Sequence, residues 1–105
     1  MRLVATLSLS ILTPEDLPTL YVAPRVDMIE LRLDDPRIAG PADVGAWVAA
    51  SPRPVLATVR SRAEGGAFSG SPRDAAALLL AAAGAGAPWI DAEASVVPLV
   101  LPEAR

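Results

Sequence analysis

The chain contains no cysteine and no histidine. Those two absences exclude disulfide frameworks, thiol nucleophiles, Cys/His zinc sites and Ser-His-Asp triads. All nine basic residues are arginine. No side-chain amine is therefore present to form a Schiff base, and no imidazole to move protons near neutral pH. Asparagine and glutamine are missing as well. No basic block occurs and the net charge is −3, which argues against nucleic acid or anionic lipid as a partner. No apolar run approaches the ~20 residues that span a bilayer, so a membrane partner is not expected either.

What is present is enough for one small domain over residues 1–105, with no internal boundary. Hydrophobic residues make up 52% of the 105, which excludes disorder as a description of the whole chain. Arg2 followed by the apolar Leu3 to Leu12 resembles a short signal peptide. However, Thr13-Pro14-Glu15-Asp16 follows where a small-residue cleavage site would stand, and that segment reads as a helix start. Thr6, Ser8 and Ser10 alternate with Leu7, Leu9 and Ile11, as in a strand. A cytoplasmic location is expected.

Strands and helices alternate along the chain. Strands are expected at Leu3–Ser8, Val26–Leu33, Pro54–Arg60 and Trp89–Glu93. A short helix starts after the cap residue Thr13, limited by Pro18 and Pro24. A second helix runs Pro41–Ala50, with Ala42, Ala46, Ala49 and Trp47 as packing residues. A third is capped by Ser71, opens on Pro72 and stops near Ala83, before Gly84 and Gly86. The tail from Ala94 to Arg105, apolar but broken by Pro98 and Pro102, has no clear assignment. Such alternation means a mostly parallel sheet with right-handed crossovers, either doubly wound or a (β/α) barrel.

The placement of polar residues favours the barrel. In the second strand Ile29, Leu31 and Leu33 share one face, and Met28, Glu30, Arg32 and Asp34 share the other. Val55, Ala57 and Val59 likewise oppose Leu56, Thr58 and Arg60, and Ile90 and Ala92 oppose Trp89, Asp91 and Glu93. Each strand thus has one apolar face, and its other face turns polar towards the C-terminal end, where barrels of the TIM type carry their sites. An open sheet would have to bury those charges under a helix, at a high cost. The plainer alternative is a solvated edge or a structural ion-pair network, with Asp91 and Glu93 pairing Arg32 or Arg60. After the third strand, Arg60-Ser61-Arg62-Ala63-Glu64-Gly65-Gly66 places an arginine at the strand end and a carboxylate on a loop that can turn sharply. Arg62 is expected to face solvent.

Three segments carry a family resemblance: Glu30-Leu31-Arg32-Leu33-Asp34, then Thr58-Val59-Arg60 through Glu64-Gly65-Gly66, then Ile90-Asp91-Ala92-Glu93. In order and spacing the chain resembles the first half of type I 3-dehydroquinate dehydratase. The resemblance implies an α/β fold, a parallel (β/α)₈ barrel of the TIM type, present here as about four βα units. It implies a lyase of the shikimate pathway, in aromatic amino-acid biosynthesis, that converts 3-dehydroquinate to 3-dehydroshikimate through a Schiff base on a lysine. A histidine serves as general acid and base, and neither a metal nor an organic cofactor is used. By position, Glu30, Arg32 and Arg60 match the family's substrate-contacting residues. Glu64 matches the carboxylate that orients the histidine, and Thr6 matches a small hydroxyl residue near the substrate. The chemistry suits a cyclic polyol acid, for which Glu supplies acceptors and Arg a planar fork of donors.

In the family the lysine and histidine lie beyond the fourth strand, and this chain has neither. The expectation is an N-terminal half-barrel: a truncated gene product, a gene-prediction fragment or one part of a split enzyme, inactive alone. Its expected partners are the small-molecule substrate and either a second copy or a complementing C-terminal half-barrel. The alternatives are a non-catalytic module that keeps part of the polyol-acid site, and an unrelated barrel.

Overall fold

The computed structural model describes residues 4–7, 14–19 and 26–104. Four strands form one sheet: β1 (Val4–Leu7), β2 (Met28–Arg32), β3 (Val55–Thr58) and β4 (Trp89–Asp91). All neighbours are parallel, and their order across the sheet is their order in the chain. A doubly wound sheet reverses its strand order at a switch point, whereas a (β/α) barrel never does. The fold is therefore α/β, with the arrangement of part of a TIM barrel. Leu3, Ser8 and the cap residue Thr13 fall outside the described residues; Pro14–Thr19 forms a 3₁₀ turn.

Three helices interleave with the strands: α1 (Pro41–Ala50), α2 (Pro72–Gly84) and α3 (Val97–Ala104). Each packs on the next, α1 on α2 and α2 on α3. The core lies between this row of helices and one face of the sheet. Ile29 and Leu31 of β2 with Leu33 just past it, and Val55 and Ala57 of β3 with Val59 just past it, point into it, against Val44 and Trp47 of α1, Leu79 and Ala82 of α2 and Val100 of α3. The alternating apolar face expected of these strands is thus the helix-covered one.

The sequence reading of α1 holds for its bounds and for Trp47 and needs correcting for its alanines. Val44, Trp47 and Val48 are buried, while Ala42, Ala46 and Ala49 are exposed. Large side chains at spacing i, i+3, i+4 remove far more apolar area from water than methyl groups do, and so they set the rotation of the helix. The tail, unassigned from sequence, is α3. Its first turn grows from the Glu93 carbonyl, which accepts the N–H groups of Val96 at 2.8 Å and Val97 at 3.1 Å. Pro98 falls in the first helical turn, where a missing N–H costs no helical bond. On the sheet face away from the helices, Val4 (47%) and Trp89 (42%) are exposed and Leu56 is half-buried. Met28 is only 7% exposed, because it sits on an interior strand with Val4 beside it in the register.

Helix α2 starts from a reciprocal capping box. The Asp74 N–H donates to Ser71 Oγ at 3.1 Å, and the Ser71 N–H donates to Asp74 Oδ2 at 3.1 Å. Ser71→Ala should cost about 1 kcal/mol. Thermal denaturation should show this as a fall of roughly 4–8 °C in midpoint.

Candidate active site

The parallel register converts the period-two pattern into rows on the sheet face away from the helices. Thr6, Glu30, Leu56 and Trp89 lie side by side in one row, and Arg32, Thr58 and Asp91 in the next. Asp34, Arg60 and Glu93 follow two residues further along each chain. The face therefore passes from Val4 and Met28 at the N-terminal ends of the strands to charged groups at their C-terminal ends.

Three small clusters order these groups. Glu30 accepts a hydrogen bond from Thr6 Oγ1 on Oε1 and another from Thr58 Oγ1 on Oε2, both at 2.7 Å. The two hydroxyls fix the carboxylate without neutralising it, and leave half of its acceptor sites open. Thr58 is 1% exposed, so its hydroxyl would be a buried unpaired group without Glu30.

Arg32 is gripped by Asp34. Its Nε donates to Oδ1 and its Nη2 to Oδ2, each at 3.0 Å. Three of the five guanidinium N–H donors remain for a ligand. Asp34 is 6% exposed. Burial pushes its carboxyl up, but the Arg32 guanidinium and the Ala67 and Arg60 N–H groups outweigh that and leave it below the usual carboxylate range.

Arg60 reaches across to β4. Its Nη2 donates to Asp91 Oδ2 at 2.5 Å, and its Nη1 lies 3.7 Å from Glu93 Oε2. The Ser61 N–H donates to the same Glu93 oxygen at 2.8 Å. That backbone bond, aided by the charge of Arg60, holds the Glu93 carboxyl below its ordinary range. Glu30, Asp34, Asp91 and Glu93 outnumber Arg32 and Arg60 on this face, so it carries an excess of negative charge among the described residues.

Glu64 comes from a loop and meets the strand-borne groups at Glu93. It is exposed on a short 3₁₀ turn, Arg62–Glu64, and shares a cavity of about 270 Å³ with Ser61, Phe68, Ser71 and Glu93. Arg62 is exposed, as expected. The loop doubles back through Gly65, whose φ of +91° suits glycine. The Gly66 N–H then reaches the Ser61 carbonyl at 2.8 Å, and the Phe68 N–H the Arg60 carbonyl at 3.1 Å.

Of the residues singled out from sequence, the structure joins Thr6 to Glu30, places Arg32 two residues on along the same strand, and sets Arg60 in the last row. Sequence reasoning assigned no site role to Thr58, Asp34, Asp91, Glu93 and Ser61. All but Ser61 carried a legible signal, since each lies on the polar side of the alternation. Ser61 acts through its backbone, which no side-chain pattern reports.

Comparison with known families decides the relationship. The family model described as type I 3-dehydroquinase matches residues 15–104. The chain belongs to the type I 3-dehydroquinase family. A search among curated proteins finds no match. Membership places the four βα units in a TIM-barrel lyase family that binds a small-molecule substrate. The matched span includes Glu30, Arg32, Arg60 and Glu64, while Thr6 lies outside it. Among the described residues no helix of this type I 3-dehydroquinase chain is long and apolar enough to cross a membrane.

Proposed function

We propose that residues 1–105 supply, as one domain, the first four βα units of a type I 3-dehydroquinase barrel. Glu30, Arg32 and Arg60 there hold the oxygens of 3-dehydroquinate during its dehydration to 3-dehydroshikimate. The observation that carries this reading is their common position on the helix-free face of the parallel strands, from the middle of β2 to just past the end of β3. Glu30 offers open carboxylate lone pairs to substrate hydroxyls. Arg32 and Arg60 offer guanidinium N–H groups, already oriented by Asp34 and by Asp91 with Glu93. Preset donors and acceptors of this kind lose little freedom when the substrate arrives.

Elimination of water next to a carbonyl is eased by an iminium acting as electron sink, and it needs a base to take the proton. With no lysine and no histidine, the chain supplies neither a side-chain amine for the iminium nor an imidazole base. A complementing half-barrel supplies both, and Glu64 on the loop orients the histidine. The lack of both residues also favours a second reading, a non-catalytic module that keeps part of the polyol-acid site.

Completion of the barrel separates the two. Purified chain incubated with 3-dehydroquinate should give no enone absorbance above the uncatalysed rate, and borohydride should trap no substrate adduct on it. Fused to or co-expressed with the second half of a type I 3-dehydroquinase, it should give enone product and a trapped adduct on the partner's lysine. A completed, folded barrel that binds 3-dehydroquinate without turnover would favour the binding module. An adduct on any side chain of the isolated chain would overturn the mechanism.

A further inference from the structure

We propose that Asp34 is a positioning residue of this site: its carboxylate sets the angle of the Arg32 guanidinium and ties the loop 61–68 to the end of β2. The proposal rests on the substrate role given above to Arg32. Three bonds converge on one buried carboxylate, from Arg32 Nε and Nη2 at 3.0 Å each and from the Ala67 N–H at 3.1 Å. Two come from the strand that bears Glu30 and Arg32. The third comes from the loop that bears Ser61 and Glu64, immediately after Gly65-Gly66. The loop's backbone bonds tie it to Arg60 and Ser61, just past β3, and the Ser61 N–H ties it to Glu93, just past β4. The Ala67 bond to Asp34 therefore sets how far the loop carboxylate stands from the groups on β2.

The geometry suits a clamp rather than a simple counter-charge. A bidentate fork fixes the plane of the guanidinium as well as its position. With Nε and Nη2 committed, the N–H groups of Nη1 and the second hydrogen of Nη2 face outward. Breaking the clamp would leave Arg32, whose side chain is one-third exposed, free to swing among its rotamers. The charged groups around Asp34 are Arg32 itself, with Glu30 and Asp91 acting on that guanidinium across the sheet face, and Arg62 and Asp35 in the adjoining surface pocket. Asp34 titrates below the usual carboxylate range. The clamp is therefore complete above that range and is lost as pH falls through the depressed value.

The test follows side-chain and backbone protons of the ¹⁵N-labelled 105-residue chain. In the wild type, exchange of the Arg32 Nε–H should be at least about 10-fold slower than that of the exposed Arg62. In Asp34→Asn it should rise to the Arg62 rate, together with the Ala67 N–H. The Ser61 N–H, held by Glu93, should keep its protection. Unchanged Arg32 exchange in this variant, or equal loss of protection at Ser61 and throughout α2, overturns the proposal. Should Asp34→Asn fail to fold, an acid titration of the wild type decides. Arg32 Nε–H and Ala67 N–H must follow the Asp34 carboxyl carbon, read in ¹³C-labelled chain, with a midpoint below the usual carboxylate range. If they follow global unfolding instead, the role is structural and the proposal fails. None of these readouts uses turnover, so a completed barrel that proves inactive counts against the functional reading and leaves the clamp to be judged on its own.

Discussion

Arg60→Ala should lower kcat/KM of the completed barrel by roughly 10²- to 10³-fold, acting on KM and kcat together. The side chain is proposed to bind substrate oxygens, and it also balances two carboxylates. Removing it strips Asp91 and Glu93 of their arginine partner, while the Ser61 N–H keeps its bond to Glu93. Unpaired carboxylates raise the cost of bringing an anionic substrate into a face that already carries excess negative charge. Steady-state kinetics of the fused barrel measures this directly. Glu64→Gln should behave differently, lowering kcat with little change in KM, because Glu64 is exposed on the loop and is proposed to act through the complementing half's histidine. A kinetically silent Arg60→Ala would remove Arg60 from the site.

The largest effect on stability is expected at Gly66. A Cβ there would stand 2.1 Å from the Arg60 carbonyl oxygen and 2.5 Å from its carbon. Both are backbone atoms that cannot turn aside. Either the loop lifts, breaking the bonds from Gly66 to Ser61 and from Phe68 to Arg60, or the end of β3 shifts. Gly66→Ala should therefore cost about 3 kcal/mol, a drop in thermal midpoint on the order of 15 °C. Gly65→Ala should cost less, about 1–2 kcal/mol, since only its left-handed φ is at stake and no atom lies within 4 Å of the added methyl. Equal midpoints for Gly66→Ala and the wild type would show that the loop does not take this path.

Much of the fold can be read from the chain because period-two alternation is a local property. Ile29, Leu31 and Leu33 alternate with Glu30, Arg32 and Asp34 whatever surrounds them, and one face had to be apolar. The cap at Ser71 and Pro72 is equally local. Of the packing residues assigned to α1, Trp47 is buried, but the alanines misled, since small residues compete poorly with Val44, Trp47 and Val48 for the core. The tail escaped assignment because Pro98 and Pro102 speak against a helix locally, whereas Val96 and Val100 gain enough by burial against the core to hold one.

The sequence alone nominated the groups that could share a site: Thr6, Glu30, Arg32 and Arg60 on the polar side of the strand alternation and Glu64 on a glycine-closed loop, with neither lysine nor histidine in the chain. Tertiary structure decided who holds whom. Glu30 could have paired with Arg32, its neighbour on the same face, but the register puts Thr6 and Thr58 within reach and leaves Arg32 to Asp34. Arg60 could have taken Asp34, but β4 lies beside β3 and presents Asp91 and Glu93. Pairings of this kind depend on which strands are neighbours and in what register, and those are set by the helices that pack the opposite face.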